Sequence, residues 1–412
     1  MIKAIKKKYL NDMAKKLKKC EICNESKLVQ VLDLGKHPLC DDLIPLNSKS
    51  KNSNYPIVVL FCKNCKTAYQ KYSVNKKKLF PYNYHYRARM TGSVLSGMKD
   101  LVNSIEKKIG SLQGKNCLDI GCNDGSLLDF FKKKGCNTLG VEPTGAAKEC
   151  EHRVINKYFD KEAAQEIKES KFSPDIITFT NVFAHIENLE KLINNLKIII
   201  SPNTILVIEN HYLGSVLKYG QFDTFYHEHP RTYSVESFKY IAKTLKMNFF
   251  SHEFVSRYGG NIRAYLGNGI LKKNIIKKEI NYEKSFLKMN KHLVSWKKKT
   301  KEYIVNHVKK NGKFIAKAFP GRAAILIKLL NLNENHISAV YEIKNSIKVN
   351  HYVPGTRIPI LPESKLYLRN DLSKLILNLA WHLPKEVRNN LIKNGYLGKV
   401  IDIKKFKNIL NK

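Results

Sequence analysis

The run Cys117-Leu118-Asp119-Ile120-Gly121-Cys122-Asn123-Asp124-Gly125-Ser126-Leu127-Leu128 constrains the fold more than any other stretch. It reads as a buried strand, a tight loop and the start of a helix. Gly121 and Gly125 bracket the loop, where the backbone must take angles open to glycine and let a ligand come close. Leu127, Leu128, Phe130 and Phe131 then share one helix face. A second short strand, 138–141, ends in Glu142-Pro143. In doubly wound sheets, a carboxylate at the end of the second strand can accept hydrogen bonds from ribose hydroxyls. The loop is not a dinucleotide fingerprint. Asn123 stands where the central glycine would be, and Asp119 and Asp124 would repel a pyrophosphate. The pattern therefore predicts a nucleoside with a positive or neutral tail. S-adenosylmethionine (SAM) fits, with its ribose on Glu142 and its amino-acid end near Asp119 and Gly121. Asn123, Asp124, Gly125, Pro143 and Asn181 complete the expected cofactor set.

At 412 residues the chain is too long for one ordinary domain. A hydrophobic share of 43% is enough to fill more than one core. No apolar run reaches membrane-spanning length. The Lys-rich start, residues 1–19, lacks the apolar stretch of a secretory signal. A cytoplasmic enzyme with no membrane partner is the expectation. The net charge of +38 allows an acidic partner, whether nucleic acid, a membrane surface or a phosphorylated substrate. The excess is mostly lysine spread along the whole chain, and no RNA-reading motif accompanies it. Nucleic acid is therefore not the expected partner; the charge fits a solvated Lys-rich surface or a positive cleft for a nucleotide-linked substrate.

Nine cysteines in a chain this long do not suggest a disulfide framework. Four form two pairs, Cys20-x-x-Cys23 and Cys62-x-x-Cys65, the ligand set of a tetrahedral structural zinc. Four sulfur ligands leave no open position, so this metal should hold structure rather than do chemistry. Strands are expected at 28–34 and 55–61 between the pairs. The other five cysteines read as buried or incidental thiols. An aromatic, basic patch follows: Phe80-Pro81-Tyr82-Asn83-Tyr84-His85-Tyr86-Arg87-Ala88-Arg89. It suits either base stacking or a sugar-nucleotide cleft. A helix is expected over 91–108.

Beyond Glu142, strands at 175–180 and 205–209 alternate with a helix at 189–200, which argues for a parallel sheet covered by helices. Asn181-Val182-Phe183-Ala184-His185 sits at a strand's carboxyl end, where ligands bind. A second unusual stretch is Tyr226-His227-Glu228-His229. Histidine titrates near neutrality and can take and return a proton. Glu228 can orient or charge-support a neighbouring imidazole. Arg257-Tyr258-Gly259-Gly260-Asn261-Ile262-Arg263 reads as a tight turn into a late strand of the same sheet. A Lys-rich helical connector over 271–310 leads to another α/β unit, with strands at 314–319, 337–341 and 375–379.

With these motifs in hand, the chain resembles the three-domain sugar C-methyltransferases that act on nucleotide-linked deoxysugars. Leu32-Asp33-Leu34-Gly35 and Pro38-Leu39 are typical of that family's zinc domain. Its [ED]-I-G-x-N-D-G is met by Asp119 to Gly125, and its N-x-x-x-H by Asn181 and His185. Its Y-x-E-H is met by Tyr226, Glu228 and His229, its G-G-x-x-R by Gly259, Gly260 and Arg263, and its P-G-x-x-I-P by residues 354–359. The resemblance implies a class I methyltransferase Rossmann-like sheet, a small N-terminal zinc-binding domain and a second, C-terminal Rossmann-like α/β domain. The expected boundaries are 1–75, 76–270 and 271–412. It implies His229 as the base, with Tyr226, Glu228 and His185 lining the same site. Tyr84 or Tyr86 would face the sugar, and Arg263 joins the substrate set. The implied substrate is a 4-keto-6-deoxyhexose on a nucleoside diphosphate, methylated on carbon through a base-generated enolate. Two departures stand out: Tyr86-Arg87-Ala88-Arg89 replaces a Ser-rich run, and Ala318-Phe319-Pro320-Gly321-Arg322 replaces a Gly-x-Gly-Ala loop. They leave sugar O-methylation as an alternative, and the net charge prompts a second, an RNA methyltransferase with a zinc module. The oligomeric state is not specified.

Overall fold

The computed structural model describes residues 15–82, 84, 86–268, 279–344, 346–369 and 374–404. The chain packs as two compact units. The first draws on Met1–Gln30, Val59–Tyr219 and Glu228–Tyr282, and the second on Val31–Val58, Gly220–His227 and Glu283–Lys412.

The first unit is built on a seven-stranded sheet. Its strands are β1 (Asn116–Ile120), β2 (Asn137–Val141), β3 (Arg153–Ile155), β4 (Ile176–Thr180), β5 (Ile205–His211), β6 (Asn248–Val255) and β7 (Asn261–Gly267). The spatial order is β6-β7-β5-β4-β1-β2-β3. β1 to β5 pair in parallel, while β7 runs antiparallel to both β5 and β6. This is the expected class I methyltransferase sheet. Its central parallel strands β1, β4 and β5 are short and buried on both faces, as parallel strands must be when helices cover each side. On β1, Leu118 and Ile120 face one core cluster, while Cys117 joins Leu127 and Phe131 in the other.

Helix α1 (Gly92–Ile109) buries Val94, Met98, Leu101, Val102 and Ile105, a stripe at helical spacing, and stops at Gly110 with φ +83°. α2 (Ser126–Lys132) starts from Gly125. α3 (Lys161–Glu169) and α4 (Leu189–Ile199) are capped by the Asp160 and Asn188 side chains. The order reverses between β1 and β4, so the crevice at their carboxyl ends is where such sheets bind ligands. Strand β5 runs two residues further than the 205–209 expected, because Asn210 and His211 pair with Ile262 and Asn261 of β7.

The second unit holds a sheet of five parallel strands: β8 (Phe314–Lys317), β9 (Ile337–Glu342), β10 (Pro359–Pro362), β11 (Ile376–Asn378) and β12 (Val400–Asp402). Two short antiparallel strands extend it, His351–Tyr352 and then Ile44–Pro45, the latter from the N-terminal quarter of the chain. The 354–359 loop secures that arrival. Arg357 donates to the carbonyls of Ser48 and Ser50 at 2.8 Å each, and the Gly355 amide donates to Asn52. Helix α6 (Tyr282–Asn311) carries Trp296, whose indole donates to the Ile403 carbonyl and packs on Phe222. Residues 271–278 of the expected connector lie outside the described residues.

Arg322 grips Asp223, which Lys404 and Trp381 also contact. Burial opposes ionisation of Asp223, but the two cations override it and hold the carboxyl well below the usual range. The 318–322 loop is thus tied into the core of its own unit. Among the described residues, no helix is long and apolar enough to cross a membrane.

Candidate active site

The metal knuckle comes first in the chain. The four expected ligands, Cys20, Cys23, Cys62 and Cys65, place their sulfurs within 4.8 Å of one another. Three of the sulfur pairs stand 3.4, 3.4 and 3.5 Å apart. Zinc–thiolate bonds of about 2.3 Å in a tetrahedron put sulfurs roughly 3.8 Å apart, so the cage fits Zn²⁺. A second layer orients it: the Tyr69 hydroxyl lies 3.0 Å from Cys20 Sγ, and Thr67 Oγ1 lies 3.2 Å from Cys65 Sγ. Thr67 also meets Ser237, on helix α5 (Val235–Thr244), at 2.7 Å.

A link runs from the knuckle toward the chemistry. Glu21, between the first two cysteines, holds the buried Arg231 through two bonds of 2.7 and 3.0 Å. The same guanidinium donates to the carbonyls of Ile186 and Glu187, just after His185. Nothing in the residue pattern marked Glu21 or Arg231, because their partners are remote in sequence.

The candidate cofactor cradle is formed by the ends of β1, β2 and β4. Gly121 and Gly125 have φ of +78° and +80°, as the loop reading required, and a Cβ on Gly121 would meet Val182 at 2.5 Å. Glu142 is buried. Its Oε1 accepts from the Thr144 amide and hydroxyl at 2.9 and 2.6 Å, and its Oε2 from the Asn123 amide at 3.0 Å. A carboxylate oxygen has two lone-pair sites, so Oε2 retains capacity for one ribose hydroxyl. Pro143 follows, half-buried. Asp119 is buried at the tip of β1, and Thr178 donates to it at 2.7 Å. Burial pushes its carboxyl up to about 7 despite that bond. A buried carboxylate with no cation on it among the described residues suits a positively charged ligand group, and with Glu142 it fits SAM.

Asn123 and Asp124 turn out to face protein. Asn123 accepts from the Ala88 amide and donates to the Tyr86 carbonyl. Asp124 accepts from Ser126 with one oxygen and from the Arg89 amide with the other. Arg87 adds an ion pair to Glu149 at 2.7 Å, and the Gly145 amide donates to Tyr82. These two side chains therefore anchor the aromatic segment to the cofactor loop. Asn181, with φ +56°, accepts from Asn261 at 3.0 Å.

Around His229 the rings form a column. Tyr84 packs edge-on against Phe80, and Phe80 stacks on His185 with centroids 5.2 Å apart. His185 and His211 each pack against His229, with ring centroids 4.9 Å away. His211 meets Tyr258, whose hydroxyl lies 3.1 Å from that of Tyr86. The column thus begins and ends in the aromatic segment. Burial lowers His185 to about 4, so it is neutral at physiological pH. Glu228 and His229 are both buried here. Tyr226 and His227 belong to the second unit, where His227 bonds the Tyr55 carbonyl at 3.1 Å. His211 and Tyr258 were missed from sequence. The one available signal was Tyr258 beside two glycines, and its φ of +52° is rare for a tyrosine and typical of functional sites.

Arg263 is brought into a buried ion network. It meets Glu209 at 2.9 Å and Glu253 at 3.1 Å, while Arg257 takes the other oxygen of Glu209 at 2.5 Å.

Comparison with known proteins agrees with this layout. A zinc binding domain matches residues 20–80, a methyltransferase domain 86–245, and a C-methyltransferase C-terminal domain 270–398. The C-methyltransferase NovU of Streptomyces niveus is 23% identical over 406 residues, covering 94% of this chain and 96% of NovU. A SAM-dependent methyltransferase from Archaeoglobus fulgidus aligns with 41% of this chain and 93% of its own, at 17% identity and a TM-score of 0.33. The SAM-bound magnesium protoporphyrin IX methyltransferase ChlM from Synechocystis aligns with 43% of this chain and 79% of its own, at 12% identity and 0.32. Those two structural likenesses are too loose to carry a function, whereas the three domain matches fall in order along the chain. Zinc-binding, methyltransferase and C-methyltransferase C-terminal domains, in that order along one chain, are the make-up of a SAM-dependent C-methyltransferase.

Proposed function

We propose that the acceptor is a nucleotide-linked 4-keto-6-deoxyhexose, methylated on a carbon next to the ketone. What carries the reading is that His229 lies 4.9 Å from both His185 and His211, which follow β4 and end β5 at the carboxyl ends of the sheet, the side on which Asp119 lies at the tip of β1 and Glu142 follows β2. Six motifs shared with the sugar C-methyltransferases supply the substrate class. Bound SAM supplies an electrophilic methyl group. Asp119 and Glu142 orient it. His229 takes a proton from the acceptor carbon, an event that requires a neutral imidazole within hydrogen-bond reach. The enolate oxygen needs a donor aimed at it. The paired hydroxyls of Tyr86 and Tyr258 offer one, because a bond between two hydroxyls uses only one of their two protons. Holding acceptor and donor together contributes much of the rate.

The test offers isotopically labelled SAM with a panel of nucleotide sugars and follows products by mass spectrometry. His229→Ala should lower turnover about 10²–10⁴-fold while SAM affinity is kept. It should also abolish exchange of the substrate C–H in deuterated water. Near-normal turnover or unchanged exchange in that variant removes His229 from the role.

A further inference from the structure

Near the end of β5 an asparagine is buried without a bond to its amide. Asn210 is 1% exposed, and among the described residues neither its Oδ1 nor its Nδ2 has a hydrogen-bond partner. Other buried asparagines are paired. Asn378 donates to Asp402 at 2.8 Å and accepts from the Ala380 amide at 2.9 Å, Asn195 donates to the Phe159 carbonyl, and Asn261 donates to Asn181. A buried amide with neither group paired is costly, and it calls for a bound water or ligand to complete it. A leucine of similar volume would fill the same space without that cost.

Its place in the sheet narrows the ligand. Strand side chains alternate between faces, so Asn210 shares a face with Leu206 and Ile208. Those two pack in the core that also holds Phe183 and Tyr233, which flank the segments bearing His185 and His229. The next residue, His211, packs on His229. Asn210 is thus on the base side of the sheet, with β4 between it and Asp119, and like His229 it is enclosed by the chain. Neighbouring strand ends add two more unpartnered buried atoms among the described residues, Thr180 Oγ1 at the end of β4 and Asn261 Oδ1 at the start of β7. An amide has no charge to set against a phosphate. Its single donor–acceptor edge matches two adjacent oxygens, at least one of them a hydroxyl, as on a sugar ring.

We propose that Asn210 is a specificity-determining residue for the acceptor, which it reads through two adjacent ring oxygens. Oδ1 accepts from a ring hydroxyl, and Nδ2 donates to the oxygen beside it. Binding then satisfies an amide that the free chain leaves unpaired. An acceptor lacking that hydroxyl is rejected twice over, by the lost bond and by the amide that stays buried and unpaired. The inference rests on the acceptor being a nucleotide-linked sugar and adds to that reading the group that recognises its ring.

The test uses the zinc-loaded full chain, SAM, the nucleotide sugar that turns over in the labelling panel, and deoxy analogues that each lack one ring hydroxyl. Wild type should lose about 10²-fold in kcat/KM on one analogue. Asn210→Leu should lose about 10²-fold on the parent sugar, keep its SAM affinity by calorimetry, and use parent and analogue within about threefold of each other. Without acceptor it should melt at or above the wild-type temperature, since the leucine removes an unsatisfied amide. Asn210→Ala guards against a leucine that overfills the space and should show the same kinetic loss. The proposal is overturned if both variants keep wild-type kcat/KM, as a structural water on Asn210 would give, or if they reject the analogue as strongly as wild type does. A clear fall in the melting temperature of Asn210→Leu also overturns it, because the amide is then paired within the chain. A wild-type chain that methylates no nucleotide sugar removes the sugar reading itself, and this inference with it.

Discussion

Asp119 is poised to titrate close to neutral pH, because burial raises its carboxyl to about 7. A positively charged ligand group beside it is bound by the ionised form. Below pH 7 the carboxyl carries a proton that must leave before that contact forms, and above pH 7 it does not. SAM affinity should therefore rise about tenfold from pH 6 to pH 8, with proton release at the acid end. Calorimetry in two buffers of different ionisation enthalpy reads both, and a flat profile would separate Asp119 from the cofactor. Asp119, Glu142, His185 and His229 were legible in sequence as candidates, because each follows a recognisable strand or sits in a spaced motif. Asn123 and Asp124 were legible as loop residues but not as anchors. Their partners, Tyr86, Ala88 and Arg89, lie about 35 residues away in the chain, and nothing local marks that pairing. His211 was invisible for a different reason. Asn210-His211 reads as polar loop, and only pairing with β7 makes it strand.

The β5–β7–β6 edge of the sheet is held by charge as well as by its ladder. Glu209 is fully buried between Arg257 and Arg263, and Glu253 on β6 completes the set with Ser104 and Lys108. Removing one partner from such a group leaves an uncompensated buried charge. Glu209→Gln should cost about 3–5 kcal/mol, read as a lowered urea midpoint with an unchanged slope. Arg263→Gln should lose stability in the same way. Wild-type stability of that variant with a raised KM would instead return Arg263 to the substrate. At this scale the parallel alternation of strand and helix was legible, since buried β-branched runs and helical stripes repeat. The antiparallel strand at 248–255 was not. Its sequence mixes Ser, His and Glu among aromatics, and its ladder with β7 is what fixes it.

Across the molecule, the metal knuckle acts at a distance. Cys20 and Cys62 touch nothing in the ring column, yet Glu21 and Arg231 connect the knuckle to the turn that follows His185. Stripping zinc with a chelator should lower the melting temperature and abolish turnover together. Glu21→Gln separates the two effects. It should keep one zinc per chain by atomic absorption yet lose about tenfold or more in kcat, since small displacements of a base are costly. Normal kcat in that variant would leave the knuckle as a local staple. The zinc ligands and the two Rossmann-like sheets were legible as blocks of sequence. That residues 31–58 pack with the C-terminal unit was not, because a two-residue strand such as Ile44–Pro45 leaves no periodic trace. That borrowed strand bears on how such enzymes diverge. A crossover between parent genes in the 270s would hand the offspring a foreign second sheet whose outermost strand still came from the other parent. Inheritance of that half is split between two distant stretches of the gene, and a chimera that ignores the earlier stretch starts life with a mismatched border.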